Sequence, residues 1–150
     1  MQIIPANLLD LSALRKLEIE SFGKDAWSLL DLIAVLTMPD VIRLKAVEDG
    51  QMLGFVAGDP RPREGWGWVA TIAVDSRHRR RGIGRALLHA FETSLKVPRI
   101  RLTVRVSNQA AISMYQREGY IATDIWSGYY NDGEDGMVME KRLSNLREGL

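Results

Sequence analysis

Apolar residues recur at three- and four-residue spacing in four stretches of the chain and at two-residue spacing or in short runs in six others, so the pattern predicts both helices and strands. Ile3 and Ile4 make a short apolar start. Leu11, Leu14, Leu17 and Phe22 fall on one side of a helix that Asp10 can cap, and "GKDAW" breaks it. Ser28 with Asp31 resembles a capping box; Leu29, Leu32, Ile33 and Leu36 follow until Met38 and Pro39 stop the run. From Val41 to Glu48 the chain alternates, "EDGQ" turns it, and Met52 to Ala57 completes a hairpin. "GDPRPREG" reads as a Pro/Gly loop and Trp66 to Val74 as a third strand suited to the middle of a sheet.

Ile83, Ala86, Leu87, Ala90 and Phe91 then sit at helix spacing, and Pro98 closes that unit. Ile100, Leu102, Val104 and Val106 alternate with polar residues in a further strand. Asn108 caps a helix that runs through Glu118, with Gly119 as its left-handed stop. Tyr120 to Tyr130 and Met137 to Leu143 read as a last pair of strands around "NDGEDG".

With 150 residues, 46% of them hydrophobic, the chain has material for one core and is read as a single domain over residues 1–150. The absence of cysteine excludes disulfides, thiolate metal sites and a covalent cysteine intermediate. "MQIIPANLLDL" has none of the marks of a signal peptide, and no apolar run reaches the ~18 residues of a membrane span. A cytoplasmic protein without a membrane partner is the expectation. His78 and His89 stand apart, without acidic or thiol partners nearby, so no metal is expected.

The segment "DSRHRRRGIGRALL", residues 75–88, is where the chemistry concentrates. Five arginines surround two glycines at a point where a strand gives way to a helix. The first amides of a helix lack intrahelical acceptors and the helix dipole is positive there, so the arrangement is an anion site whose glycines let phosphate oxygens approach the backbone. No Gly-Lys-Ser/Thr follows, which excludes the P-loop, and Leu87 stands where a dinucleotide loop needs its last glycine. The basic residues are confined to one loop and the net charge is only +1, so nucleic acid is not the expected partner.

This segment resembles the acetyl-coenzyme A motif Gln/Arg-x-x-Gly-x-Gly/Ala of the GCN5-related N-acetyltransferases (GNAT): Arg79, Gly82 and Gly84 match it in full. "TIAVDSRHR" resembles the strand before it and "VSNQAAISMYQREGY" the family's second cofactor motif. Within the family, "FGKDAWS", "RLTVRVSNQAAISMY" and "GYYNDGEDGMVM" are similar to segments of the ribosomal-protein alanine acetyltransferase (RimI-like) group, which acetylates protein N-termini. The resemblance implies an α+β fold, a mixed and mostly antiparallel sheet flanked by helices, with acetyl-CoA as cosubstrate entering where two strands splay beside the loop. It also implies direct transfer of the acetyl group to a primary amine. The amides of Arg80, Arg81, Gly82, Ile83, Gly84 and Arg85 would hold the pyrophosphate, with Arg79 completing the motif. Ile72, Ala73 and Val74 would pair with the pantetheine arm, and Asn108 would contact the same arm, as well as capping its helix. Tyr115 would protonate the departing thiolate, and Tyr129 and Tyr130 would frame a substrate peptide. Trp66 and Trp68, two residues apart on one strand face, are read as packing.

One position departs from the pattern. Where the RimI-like group carries a glutamate base, this chain has Thr103, which takes no proton at neutral pH. A water chain from Thr103, a carboxylate such as Glu18, Glu20 or Asp25, or the absence of any base would each accommodate it. An α-amine of pKa about 8 is roughly one-tenth neutral at pH 7, whereas lysine at ~10.4 is below about 0.1% neutral, so losing the base harms α-amine transfer least. The acceptor stays open among protein N-termini, lysine side chains, polyamines and antibiotic-like amines, and the assembly between monomer and homodimer. The rival reading is a catalytically silent acyl-CoA-binding or sensor domain.

Overall fold

The computed structural model describes residues 1–143, which form seven strands and four α-helices. The expected domain over residues 1–150 includes 144–150, which lie outside the described residues. The strands are β1 (Gln2–Pro5), β2 (Ile42–Glu48), β3 (Gln51–Arg61), β4 (Trp66–Val74), β5 (Arg99–Arg105), β6 (Ile121–Trp126) and β7 (Gly136–Arg142). The helices are α1 (Leu11–Phe22), α2 (Leu29–Thr37), α3 (Ile83–Ser94) and α4 (Gln109–Arg117). The hydrogen-bonded strand order is β1-β2-β3-β4-β5-β7-β6. β4 pairs with β5 in parallel over Trp66–Trp68 against Arg99–Arg101, while β5, β7 and β6 pair antiparallel, which makes the sheet mixed as expected.

Two compact units divide the chain, one made of Met1–Pro60 with Ala70–Leu95, the other of Arg61–Val69 with Lys96–Leu150. In the first, Leu14 and Leu17 of α1 and Leu32, Val35 and Leu36 of α2 form a buried cluster with Phe55, Ala57 and Ala73. The entry to α1 differs from expectation. Asn7 caps a short 3-10 turn over Leu8–Asp10 that precedes the helix, accepting from Leu9 N at 2.9 Å while Asp10 Oδ2 accepts from Asn7 N at 2.9 Å. Asp10 makes no side-chain cap to α1 because its other oxygen is taken by Lys45 Nζ at 2.7 Å. Ser28 caps α2 as predicted, accepting from Asp31 N at 3.2 Å. Ile3 and Ile4 belong to a strand, paired antiparallel with β2. α3 buries Ile83, Leu87, Leu88 and Phe91, and Gly54 on β3 allows the approach: a Cβ there would lie 2.8 Å from Leu87 Cδ1 and 3.0 Å from Ala73 O.

In the second unit the alternating face of β5, Ile100, Leu102 and Val104, is buried, and so are Ile112 and Tyr115 of α4. Asn108 caps α4, accepting from Ala111 N at 3.2 Å, and Gly119 ends it with φ +95°. Two predicted boundaries move. β3 continues through Gly58–Arg61, and the turn shrinks to the residues after it, closed by Glu64 N to Arg61 O at 3.0 Å; a proline is tolerated in a strand wherever no amide is required of it. β6 stops at Trp126, so Tyr129 and Tyr130 lie in a loop. That loop is held from below: Asp135 Oδ1 accepts from Gly128 N at 2.9 Å, and Arg105 Nη1 binds Asp132 at 3.0 Å and Glu134 at 2.7 Å.

Candidate active site

The first unit supplies a backbone-lined anion site. β4 ends at Val74, and Asp75 N donates to Leu53 O at 2.8 Å, which ties the start of the loop to β3. The Asp75 carboxylate accepts from Arg77 N at 2.9 Å and pairs with Arg77 Nη2 at 2.8 Å. Those Arg77 bonds hold the Asp75 pKa at about 2, well below the usual carboxylate value. Arg81 is engaged by Glu48 at 2.8 Å, and its Nη1 lies 3.0 Å from His78 Nδ1. The side chains of Arg77 and Arg81 thus splint the loop. What they shape is a backbone in which Arg80 has φ +65° and Gly82 φ +77°.

The first intrahelical bond of α3 runs from Ala86 N to Gly82 O at 3.0 Å, so the amides of Gly82, Ile83 and Gly84 precede the helical ladder at its positive end. Gly82 is required by its left-handed φ, whereas a Cβ at Gly84 would meet only Val74 Cγ2 at 3.5 Å, an ordinary contact. The protein's own packing therefore leaves Gly84 uncrowded, and the space beside these amides suits a phosphate-bearing ligand. Ile72, Ala73 and Val74 lie on the strand that leads into this loop.

In the second unit, Thr103, Tyr115, Tyr129 and Tyr130 come together. Thr103 Oγ1 is buried and has no hydrogen-bond partner among the described residues. Beside it, a Cβ at Gly136 would lie 2.8 Å from Thr103 Cγ2 and 3.2 Å from Tyr129 Cβ, so Gly136 is what lets the Tyr129 ring settle over β7 next to Thr103. Tyr115 is buried, and its pKa is raised first by burial and then by the electrostatic influence of Tyr130. It is a phenol throughout the working pH range. Arg105 stacks 4.2 Å over the Tyr130 ring while its guanidinium holds Asp132 and Glu134. The rings of Trp66, Trp68, Trp126, Tyr129 and Tyr130 follow one another at centroid distances of 5.0, 5.8, 5.5 and 5.0 Å, so the tryptophans that sequence assigned to packing continue into the tyrosine pair.

The three carboxylates proposed as stand-ins for the missing base separate clearly. Glu20 is exposed and Asp25 is half-buried in a 3-10 turn, but Glu18 is only 1% exposed and accepts a hydrogen bond from Thr71 Oγ1 at 2.8 Å. Sequence reading left these three equal, and it missed Gly54, Gly136 and Asp75; an alternating pattern carries no mark of which neighbour will approach a glycine.

The chain belongs to the acetyltransferase (GNAT) family, whose profile matches residues 11–120. An N-acetyltransferase of Methanocaldococcus jannaschii is 32% identical to it over 94% of this chain and 91% of its own. An N-alpha-acetyltransferase of Sulfurisphaera tokodaii is 35% identical over 63% of this chain; the match spans 65% of that relative, just under two thirds of its length. The crystal structure of the ribosomal-protein-S18-alanine N-acetyltransferase from Escherichia coli superposes with a TM-score of 0.83 at 28% identity, covering 94% of this chain and 92% of that one. Among the described residues, no helix is long and apolar enough to cross a membrane.

Proposed function

We propose that this chain transfers the acetyl group of acetyl-CoA directly to the α-amine of a protein N-terminus. The observation that carries the reading is the run of amides ahead of the helical ladder at the start of α3, beside a Gly84 that internal packing leaves uncrowded. The relatives named for N-alpha acetylation and for the S18 alanine support the choice of acceptor. Acetyl-CoA supplies an acyl group activated as a thioester. The amides of Gly82, Ile83 and Gly84, with those of Arg80, Arg81 and Arg85 in the family motif and Arg79 at its head, bind its pyrophosphate. The backbone of Ile72, Ala73 and Val74 meets the amides of the pantetheine arm as a neighbouring strand would, and an N–H there polarises the thioester carbonyl. Asn108 contacts the same arm.

Tyr115 donates a hydrogen bond to the departing sulfur. A thiol pKa near 8.5 makes the thiolate a weaker base than a buried tyrosinate, so the hydroxyl stabilises the leaving group as a donor and complete proton loss from it is uphill. Tyr129 and Tyr130 frame the backbone of the acceptor peptide. Direct transfer suits a chain without cysteine. In this reading the enzyme is a cytoplasmic monomer or homodimer that needs no metal and takes neither nucleic acid nor membrane as partner.

Thr103 in place of a base favours one other reading, a domain that binds acetyl-CoA without turnover. A free-thiol release assay separates the two when run with acetyl-CoA against N-terminal peptides, polyamines and aminoglycoside-type amines, alongside calorimetry of acetyl-CoA alone. Binding together with release on N-terminal peptides is expected. Binding without release on any amine would replace the enzyme with the sensor.

A further inference from the structure

Glu18 occupies a position that helix geometry reserves for an apolar residue. It follows Leu14 by four positions, on the stripe of α1 that faces the core, and like Leu14 it is essentially without exposure. A leucine would pack there with no cost of desolvation, whereas a buried carboxyl is costly unless its oxygens are satisfied. Only one of them is: Oε1 accepts from Thr71 Oγ1 at 2.8 Å, and no donor reaches Oε2 among the described residues. Burial raises the Glu18 pKa, the Thr71 bond opposes the shift, and no charged neighbour contributes to it. Such departures from local rules concentrate at functional sites.

Thr71 gives the pair its place. It is buried on β4 and directly precedes Ile72, Ala73 and Val74, the residues assigned above to the thioester arm. Its single hydroxyl proton is committed to Glu18, so the lone pairs on Oγ1 are available to accept. We propose that Thr71 and Glu18 form the proton relay for the acceptor amine, supplying the base function that Thr103 does not.

The inference rests on the proposed acetyl transfer. An N–H bond of the acceptor ammonium breaks as its proton passes to Thr71 Oγ1, while the Thr71 hydroxyl proton passes to Glu18 Oε1. The acceptor is then a neutral amine and Glu18 a neutral acid, which later returns its proton to solvent. The nitrogen lone pair forms the C–N bond to the thioester carbon, the C–S bond breaks with its electron pair on sulfur, and the second nitrogen proton completes the thiol. Ammonium and thioester thus give amide, thiol and one proton.

Glu18→Gln is the direct test, because it keeps the volume and an acceptor oxygen for Thr71 but takes no proton. With a peptide bearing a free α-amine, kcat at about pH 7 should fall by about 100-fold or more while acetyl-CoA binding measured by calorimetry stays unchanged. The deficit should shrink as pH rises past about 8, where the acceptor is neutral without help. A deficit that is constant across pH indicates a structural role and overturns the relay, as does wild-type kcat in the variant. Should Glu18→Gln fail to fold, Thr71→Val against Thr71→Ser decides: the valine variant shows the same pH-dependent loss and the serine variant recovers it, while equal behaviour of the two refutes the relay. An inactive wild-type protein that still binds acetyl-CoA removes the proposed function itself, and the relay with it.

Discussion

The glycine loop and the tyrosine cluster are built on opposite principles. In the loop the arginine side chains are turned to the protein: Arg77 and Arg81 commit their guanidinium groups to Asp75 and Glu48, and the amides of Gly82, Ile83 and Gly84 precede the helical ladder of α3. In the cluster it is side chains that are placed: Tyr129 sits against Gly136, Tyr130 lies under Arg105, which holds Asp132 and Glu134, and Tyr115 packs against Tyr120. Hence the proposed cofactor loop, though rich in arginine, is expected to depend on its glycines, and a tyrosine pair predicted in a strand sits in a loop braced by Arg105.

Breaking the loop should have the largest effect. Gly84→Glu places a charged side chain beside the amides at a position whose own φ is unremarkable and whose Cβ has room. Calorimetry should show no detectable acetyl-CoA binding, with a melting curve close to wild type. Retained binding would mean that the phosphates sit elsewhere.

Tyr115→Phe tests the cluster at the next scale. The ring packing against Tyr120, with centroids 5.8 Å apart, is kept and only the hydroxyl is lost. Turnover should drop by about 100-fold at unchanged acetyl-CoA affinity. The loss should persist across the pH range, in contrast to Glu18→Gln, because the missing donor is never replaced by titration of the acceptor. A variant as active as wild type would assign Tyr115 to packing alone.

Arg77→Ala sharpens the comparison with the smallest effect. Since the guanidinium is turned to Asp75, acetyl-CoA affinity should change by no more than about threefold, the scale of an exposed ion pair. Its signature is in acid. Asp75 ionises in the unfolded chain near 3.9 but at about 2 in the folded one, so its contribution to stability is present above the higher value and is lost as pH falls through the lower. Removing Arg77 raises the folded value and narrows that window, so acid unfolding followed by circular dichroism should begin at higher pH. An unchanged acid midpoint would show that Arg77 does not set the Asp75 titration.

Much of the fold is legible in the sequence because its signals are local. Ser28 and Asn108 announce helix starts, the alternation of Ile100, Leu102 and Val104 announces a half-buried strand, and the run from Asp75 to Leu88 carries strand end, loop and helix in one motif. What escapes depends on partners distant in the chain. Asp10 looks like a cap until Lys45 takes its carboxylate, and Tyr130 looks like a strand residue until Arg105 and Glu134 draw the chain into a loop. Glu18 is legible as a candidate, and its spacing from Leu14 sets it apart from Glu20, but its hydrogen-bond partner Thr71 stands 53 positions away.

The central claim, acetyl transfer to an N-terminal α-amine, is tested most directly by competition between two peptides that differ only at the N-terminus and the second position. One has a free N-terminus and no lysine; the other has a blocked N-terminus and a single lysine at its second position. With acetyl-CoA at about pH 7, product mass spectra should show the free α-amine acetylated at least about 100-fold faster, the ratio of the two neutral fractions. Equal rates, or preference for the lysine peptide, would contradict the account.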